Sequence, residues 1–144
     1  LARKLIMTTN TKPIGVAYED QNIIGADRVY VDSELGYTVA AQGSVTQATS
    51  KSTAVTLNKP AGVITMNNAA LATATNATFT LNNLYISSND TIILTIAGGQ
   101  ATAGSYNVFA NALTTGSVSI TLRNISGGSL SEAIVVNYCL IHCV

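Results

Sequence analysis

The feature that most constrains the fold is the stretch of residues 45–66, in which two extended segments flank a breaker. Apolar and hydroxyl side chains alternate from Val55 onward, and an extended pattern resumes at residues 63–66. Between them, residues 58–62 contain Asn, Pro and Gly, which favour turns. A period of two places successive side chains on opposite faces of a strand. The stretch therefore predicts strand, turn and strand.

The same period of two recurs further along the chain. It is clearest at residues 77–84, 91–96, 105–112 and 116–124, and strand-like segments also occur at residues 29–31 and 37–41. Residues 67–74 are rich in alanine, but their Asn and Thr favour a loop over a helix. About six to nine strands with no helical period predict an all-β fold, an antiparallel β-sandwich or jelly roll.

Residues 132–142 are the most apolar strand candidate, with apolar side chains on both faces. Val135 and Cys139 share one face, and Val136 and Leu140 share the other. Two interpretations follow. The segment is either a central strand covered from outside, or a strand whose outer face meets another subunit, because a large uncovered apolar face favours association.

Charged residues are scarce, at 10% of the chain, where about 25% is typical. Seven basic and seven acidic side chains cancel, so no long-range field favours nucleic acid or an anionic membrane. A surface with so little charge suggests assembly with partners. No run approaches the roughly 18 apolar residues of a spanning helix, which predicts a protein with no membrane partner.

The reactive side chains do not form a recognisable catalytic or metal-binding pattern. Cys139 and Cys143 would lie about 13 Å apart on a strand, too far for a disulfide, so buried free thiols are expected. His142 is the single histidine, and on a strand it would point away from Cys139. The glycine-rich segment 97–104 has no Lys and precedes a strand, which argues against phosphate binding. We expect no enzyme, no cofactor and no metal, whereas carbohydrate binding stays open.

The first forty residues differ from the rest, because they hold five of the seven acids and four of the seven bases. This change predicts an N-terminal arm or extension with short strands at residues 1–42 and a β-sandwich domain at residues 43–144. The first part is either a few surface strands or an arm that reaches onto a neighbour. In the second case, the basic side chains are the candidate partner-binding residues: Arg3, Lys4, Lys12 and Arg28.

Three segments carry a resemblance to a known family. Residues 43–62 and 64–71, together with the ending at residues 116–120 and 127–133, resemble a β-structured domain found in virion proteins of tailed bacteriophages. The resemblance spans about residues 43–142. In that family the domain is structural, commonly lies on the outside of the particle and is often trimeric.

The resemblance implies a phage virion structural protein, most simply a capsid decoration (cement) protein that bridges capsid subunits and stabilises the head. Its expected partners are the major capsid protein and further copies of itself, as a homotrimer. Its expected place is the phage head surface, after assembly in the host cytoplasm. The alternative is a fibre or a tail or baseplate component with a host-glycan-binding role.

Overall fold

The computed structural model describes residues 27–143. The chain divides into two compact units, with the division between Leu35 and Gly36. In the described part of the first unit, residues 27–35 form no helix or strand. The strand predicted at residues 29–31 is therefore wrong: no described strand pairs with these residues, and Val29 and Tyr30 are exposed. The predicted boundary near residue 42 stays a prediction.

The second unit contains eight strands and one turn of 3-10 helix. The 3-10 turn is Val39–Ala41, and the strands are β1 (Gln42–Thr46), β2 (Val55–Thr56), β3 (Ala61–Thr65), β4 (Asn76–Asn82), β5 (Thr91–Gly98), β6 (Tyr106–Thr114), β7 (Ser117–Asn124) and β8 (Val135–Ile141). The strand predicted at residues 37–41 is wrong, because Ala41 N donates to Thr38 O at 3.0 Å and closes a local turn instead of joining a ladder.

The strands form two packed four-stranded sheets, so the all-β prediction is confirmed. Sheet 1 has the order β1-β3-β8-β5, and sheet 2 has the order β2-β4-β7-β6. Four pairings are antiparallel, as expected, but β1 pairs with β3 and β2 with β4 in parallel. The parallel pairs arise at the start of the sandwich, because successive strands there alternate between the sheets and return beside their neighbours in the same direction.

The predicted strand, turn and strand of residues 45–66 exist, but β2 and β3 belong to different sheets. Leu57 lies in the crossing between them, and a close approach of backbones makes room for its side chain. A Cβ on Gly62 would lie 2.6 Å from one Leu57 methyl group, and a Cβ on Gly43 would lie 2.9 Å from the other. These two glycines of sheet 1 let Leu57 pack into the core.

The core lies between the sheets and follows the predicted alternation. Its buried members include Phe79 and Leu81 of β4, Ile120 and Leu122 of β7, and Val136, Tyr138 and Leu140 of β8. β5 contributes the partly buried Ile92, Leu94 and Ile96. On β6 the alternation predicted for residues 106–110 fails at Ala110, which is exposed, because a register shift between Ala110 and Ala112 turns Leu113 inward instead.

Candidate functional site

Two neighbouring large apolar side chains are exposed in the connection between β4 and β5. Leu84 is 81% exposed and Tyr85 is 52% exposed. Together with Asn58 they line an open cavity of about 400 Å³. We call residues 83–86 the anchor loop. The sequence had suggested that residue 84 ends a strand, and the structure instead ends β4 at Asn82.

The first residue of the anchor loop holds it in place. Asn83 is 1% exposed, and its Nδ2 donates to Lys59 O at 2.7 Å and to Tyr138 Oη at 3.3 Å. Its Oδ1 accepts a hydrogen bond from Tyr85 N at 3.0 Å, and its backbone N donates to Gly116 O at 2.9 Å. The side-chain amide of Asn83 thus ties the loop to the β2–β3 crossing and to β8, and its backbone N–H ties the loop to the β6–β7 hairpin.

Further hydrogen bonds fix the backbone on both sides of the exposed pair. Leu84 N donates to Asn58 Oδ1 at 3.0 Å, and Ile86, which is 2% exposed, accepts from Gly116 N at 2.9 Å. A loop held this way loses little conformational entropy when it binds a partner. An exposed Tyr on a fixed backbone is suited to anchor a protein interface, and the exposed Leu beside it adds apolar area.

Tyr138 of β8 helps to hold the anchor loop through its hydrogen bond with Asn83. It is 3% exposed, and its Oη donates to Lys59 O at 2.9 Å while accepting from Asn83. Burial raises the pKa of Tyr138 to about 12, and the hydrogen bond from Asn83 partly opposes this rise. The phenol is therefore neutral at physiological pH and remains a donor to the carbonyl that Asn83 also uses.

A second polar cluster lies inside the sandwich. Lys51 is 3% exposed, and its Nζ donates to Asn67 O and Glu132 O, both at 2.5 Å. Burial lowers the pKa of Lys51, and the charge of Glu132 partly offsets this. The ammonium joins three chain segments in a structural role. The sequence did not predict that Lys51 is buried, because it is a single Lys between two Ser residues.

Beside this cluster, Tyr106 is buried and its Oη makes no hydrogen bond of good geometry with the described residues. The same holds for Glu132 Oε2, while Glu132 Oε1 accepts from Ala101 N at 2.6 Å. Burial raises the pKa of Tyr106 to about 12, and hydrogen bonding to the Glu132 carboxylate and its charge contribute further. Tyr106 and Tyr138 are thus both buried phenols, but only Tyr138 makes hydrogen bonds of good geometry.

The residues with reactive side chains lie apart from the anchor loop's exposed pair. His142 Nδ1 lies 2.9 Å from Asp90 Oδ2, and Ser87 N donates to the same oxygen at 2.8 Å. The Ser87 N–H is the main reason why the pKa of Asp90 lies below its usual value. This pair fastens the residues after β8 to the turn before β5. The cysteines are free as expected, but Cys139 is only partly buried and Cys143 is exposed, so their predicted burial is wrong.

Three of the four predicted partner-binding residues, Arg3, Lys4 and Lys12, lie outside the described residues. Arg28 belongs to the first unit, is exposed, and donates through Nη1 to Tyr30 Oη at 3.3 Å. Their role in binding stays a prediction. Within residues 27–143, no group of three His, Cys, Asp or Glu side chains could hold a metal ion, and no helix is long and apolar enough to cross a membrane.

The described residues define a two-sheet β-sandwich with a hydrogen-bonded loop that exposes Leu84 and Tyr85. Comparison with known proteins adds no relative: no family model, no curated protein and no solved structure matches the chain. The function is therefore inferred from the molecule's own surfaces and from the resemblance of its sequence segments.

Proposed function

We propose that this protein is a structural component of a tailed-bacteriophage virion, most specifically a capsid decoration (cement) protein. It stabilises the head by bridging subunits of the major capsid protein, on the head surface, after assembly in the host cytoplasm. The proposal includes a jelly-roll class for the sandwich, an N-terminal arm at residues 1–42 and a homotrimer. It is a binding function without catalysis.

The observation that carries the proposal is the anchor loop. Leu84 and Tyr85 are exposed on a backbone that several hydrogen bonds hold in one conformation. Exposing two large apolar side chains on a rigid loop makes sense when a partner covers them. In a cement protein each contact can be modest, because the symmetric shell repeats it many times and multivalency raises the overall avidity.

The test is attachment of the purified protein to expanded phage heads that lack it. We expect the double variant Leu84→Ser with Tyr85→Ser to lose attachment, because both anchors are gone. Ile125→Ser is the matched control, since Ile125 is 53% exposed and also lies in a connection of the same sandwich. Equal loss of attachment in both variants, or in neither, would contradict a specific role of the anchor loop.

The basic residues of the N-terminal segment are tested in the same assay. Replacing Arg3, Lys4, Lys12 and Arg28 with Ala should abolish attachment if the segment is an arm that contacts the shell. The melting temperature should stay unchanged if these residues act through contact with the shell alone. Attachment at the wild-type level would contradict the arm and leave the anchor loop as the contact.

One observation favours the alternative, a fibre or a tail or baseplate component that binds host glycans. Phe109 is 39% exposed and points outward from sheet 2 between Asn107 and Asn111, opposite Thr121. An aromatic ring can pack on the apolar face of a sugar, and amides can pair with its hydroxyls. Binding to host polysaccharide that Phe109→Ala abolishes would favour this function over a cement role.

A further inference from the structure

The outer face of sheet 1 is unusual in its composition. β8 is a central strand of this sheet, and its outward side chains are largely apolar. Ile93 and Ile141 are 49% and 48% exposed, so this part of the face is open. Ala61 and Cys139 are partly buried, and Tyr37 Oη donates to Leu140 O of β8 at 2.6 Å. The outward residues are Gln42, Ser44, Thr46, Ala61, Val63, Thr65, Thr91, Ile93, Thr95, Val135, Asn137, Cys139 and Ile141.

The apolar members of this face are adjacent across strands. Ala61 of β3, Cys139 of β8 and Ile93 of β5 form one cross-strand row. Ile141 lies next to it on β8, and Val63 lies on the other side on β3. Cross-strand neighbours on one face are within contact distance, so these side chains form a continuous patch.

No charged residue occurs on this outer face, although the described residues include nine charged ones. These are Asp27, Arg28, Asp32, Glu34, Lys51, Lys59, Asp90, Arg123 and Glu132. A partner with its own charges would gain no ion pair here and would have to desolvate them. A second copy of the same face, in contrast, brings neither charge burial nor like-charge repulsion.

We infer that the outer face of sheet 1 is the surface through which copies of this chain associate with one another. In a symmetric assembly this face of each copy contacts a neighbouring copy, and the row of Ala61, Cys139 and Ile93 lies in the contact. The inference extends the proposed function, because it assigns self-association to a surface distinct from the anchor loop. It therefore separates the contact between copies from the contact with the shell.

The size of the face sets the expected strength of association. Four strands spaced about 4.8 Å apart, each about five to seven residues long, cover about 300–450 Å² per copy. A standard interface buries about 800 Å² per partner, so we expect micromolar affinity for the free protein. Attachment of many copies to one shell would then strengthen the contact by avidity.

The experiment is sedimentation equilibrium of the full chain from about 1 to 500 µM, a range that spans micromolar dissociation constants. We expect reversible association for the wild type and a loss of about tenfold or more in affinity for Ile93→Glu, because it buries charge in the patch. Asn107→Glu is the matched control, since Asn107 is exposed on β6, the edge strand of sheet 2. Ile93→Thr keeps the β-branched shape and should weaken association less than Ile93→Glu.

Cys139 provides a second readout that does not depend on folding of the Glu variant. In a Cys143→Ser background, a short bis-maleimide should link Cys139 of two copies, with each thiol adding across one maleimide double bond. An excess of the Cys139→Ser chain should reduce the linked product, because a mixed pair has only one thiol at this position. Such a reduction would confirm a contact between copies. A wild-type monomer at every concentration, or association that Ile93→Glu leaves unchanged, would overturn the inference.

The two proposals can fail separately. A monomeric protein that still attaches to heads through Leu84 and Tyr85 would overturn the self-association surface and leave the cement function standing. A protein that associates through Ile93 but is absent from virions would support the surface and overturn the cement function.

Discussion

The outer faces of the two sheets share one architecture but use their side chains differently. On sheet 2, outward hydroxyl and amide groups bond to one another: Thr78 Oγ1 lies 2.8 Å from Thr121 Oγ1, which donates to Asn111 Oδ1 at 3.2 Å. On sheet 1, the corresponding positions hold Ile93, Cys139 and Val63. A polar face of this kind satisfies its own hydrogen bonds, whereas the apolar patch within the outer face of sheet 1 gains stability only when it is covered.

The interiors of the two sheets differ as well. Sheet 1 brings Gly43 and Gly62 close to Leu57, and its inward Tyr138 holds the anchor loop through Asn83. Sheet 2 contributes an inward Tyr106 whose hydroxyl makes no hydrogen bond of good geometry with the described residues. Sheet 1 therefore carries the interactions that position the proposed binding loop, and damage to its interior should affect both stability and attachment.

The largest expected difference concerns the glycines at the ends of the sheets. Gly99, just after β5 of sheet 1, has φ +86° and a Cβ there would lie 2.0 Å from Ala133 O, whereas Gly116, in the β6–β7 hairpin of sheet 2, has φ +84° and open space around it. We expect Gly99→Ala to lower the free energy of unfolding by about 3 kcal/mol or more and Gly116→Ala by about 1 kcal/mol. Urea unfolding of both variants measures this, and equal losses would contradict it.

The two buried tyrosines should respond differently to loss of their hydroxyl groups. Tyr138→Phe should cost about 1–3 kcal/mol, because Asn83 and Lys59 O lose a buried partner. Tyr106→Phe should cost less than about 1 kcal/mol, because the hydroxyl it removes makes no hydrogen bond of good geometry. Thermal unfolding measures both effects, and a larger loss for Tyr106→Phe would show that its hydroxyl is paired after all.

The dependence of stability on alkaline pH tests the same two tyrosines, Tyr106 and Tyr138. The pKa values of Tyr106 and Tyr138 are raised from 10.0 to about 12, so folding favours their neutral forms. The stability they contribute should be fully present below pH 10 and should fall as pH rises towards 12. The Tyr106→Phe and Tyr138→Phe variants should each show a shallower loss over this range in equilibrium unfolding. A wild-type stability that stays flat from pH 10 to pH 12 would contradict the raised pKa values.

The smallest expected effect is on the hydroxyl ladder of sheet 2. Thr121 is 2% exposed, and its hydroxyl joins Thr78 to Asn111. Thr121→Val keeps the shape and should cost about 0.5–1.5 kcal/mol through the lost hydrogen bonds. Ser119→Ala, in the same strand and outside the hydroxyl ladder, serves as the control and should change stability by less. Chemical unfolding distinguishes the two, and equal effects would contradict a role for the ladder.

Local alternation predicted much of the sandwich. The inward residues of β4, β7 and β8 follow from the sequence, because a buried face leaves a period of two that propensity and burial reinforce. The parallel pairings could not be predicted, since β2 has only two residues and its partner is chosen by the packing of the two sheets. Residues 29–31 and 37–41 have strand-like composition but no partner strand among the described residues, so composition alone does not predict a strand.

The binding features were harder to predict than the fold. Leu84 and Tyr85 look like the end of a strand because Leu and Tyr favour buried positions, and their exposure depends on Asn83, Lys59 and Tyr138 from three parts of the chain. The consecutive Asn82 and Asn83 were the available signal, since paired Asn residues favour the end of a strand. The apolar pattern of β8 had two interpretations, a central strand covered from outside or an outer face that meets another subunit. β8 is a central strand, but Ile141 on its outer face is 48% exposed, and contact with another subunit stays a prediction.

The most direct test of the central claim, that this chain functions by binding within a virion shell, is its copy number in purified particles of the phage that encodes it. A stained gel that compares its band with that of the major capsid protein measures this. The account predicts copies in constant proportion to the capsid protein, and heads lacking the chain should release DNA at a lower temperature. A few copies per particle, or heads of unchanged stability without it, would contradict the account.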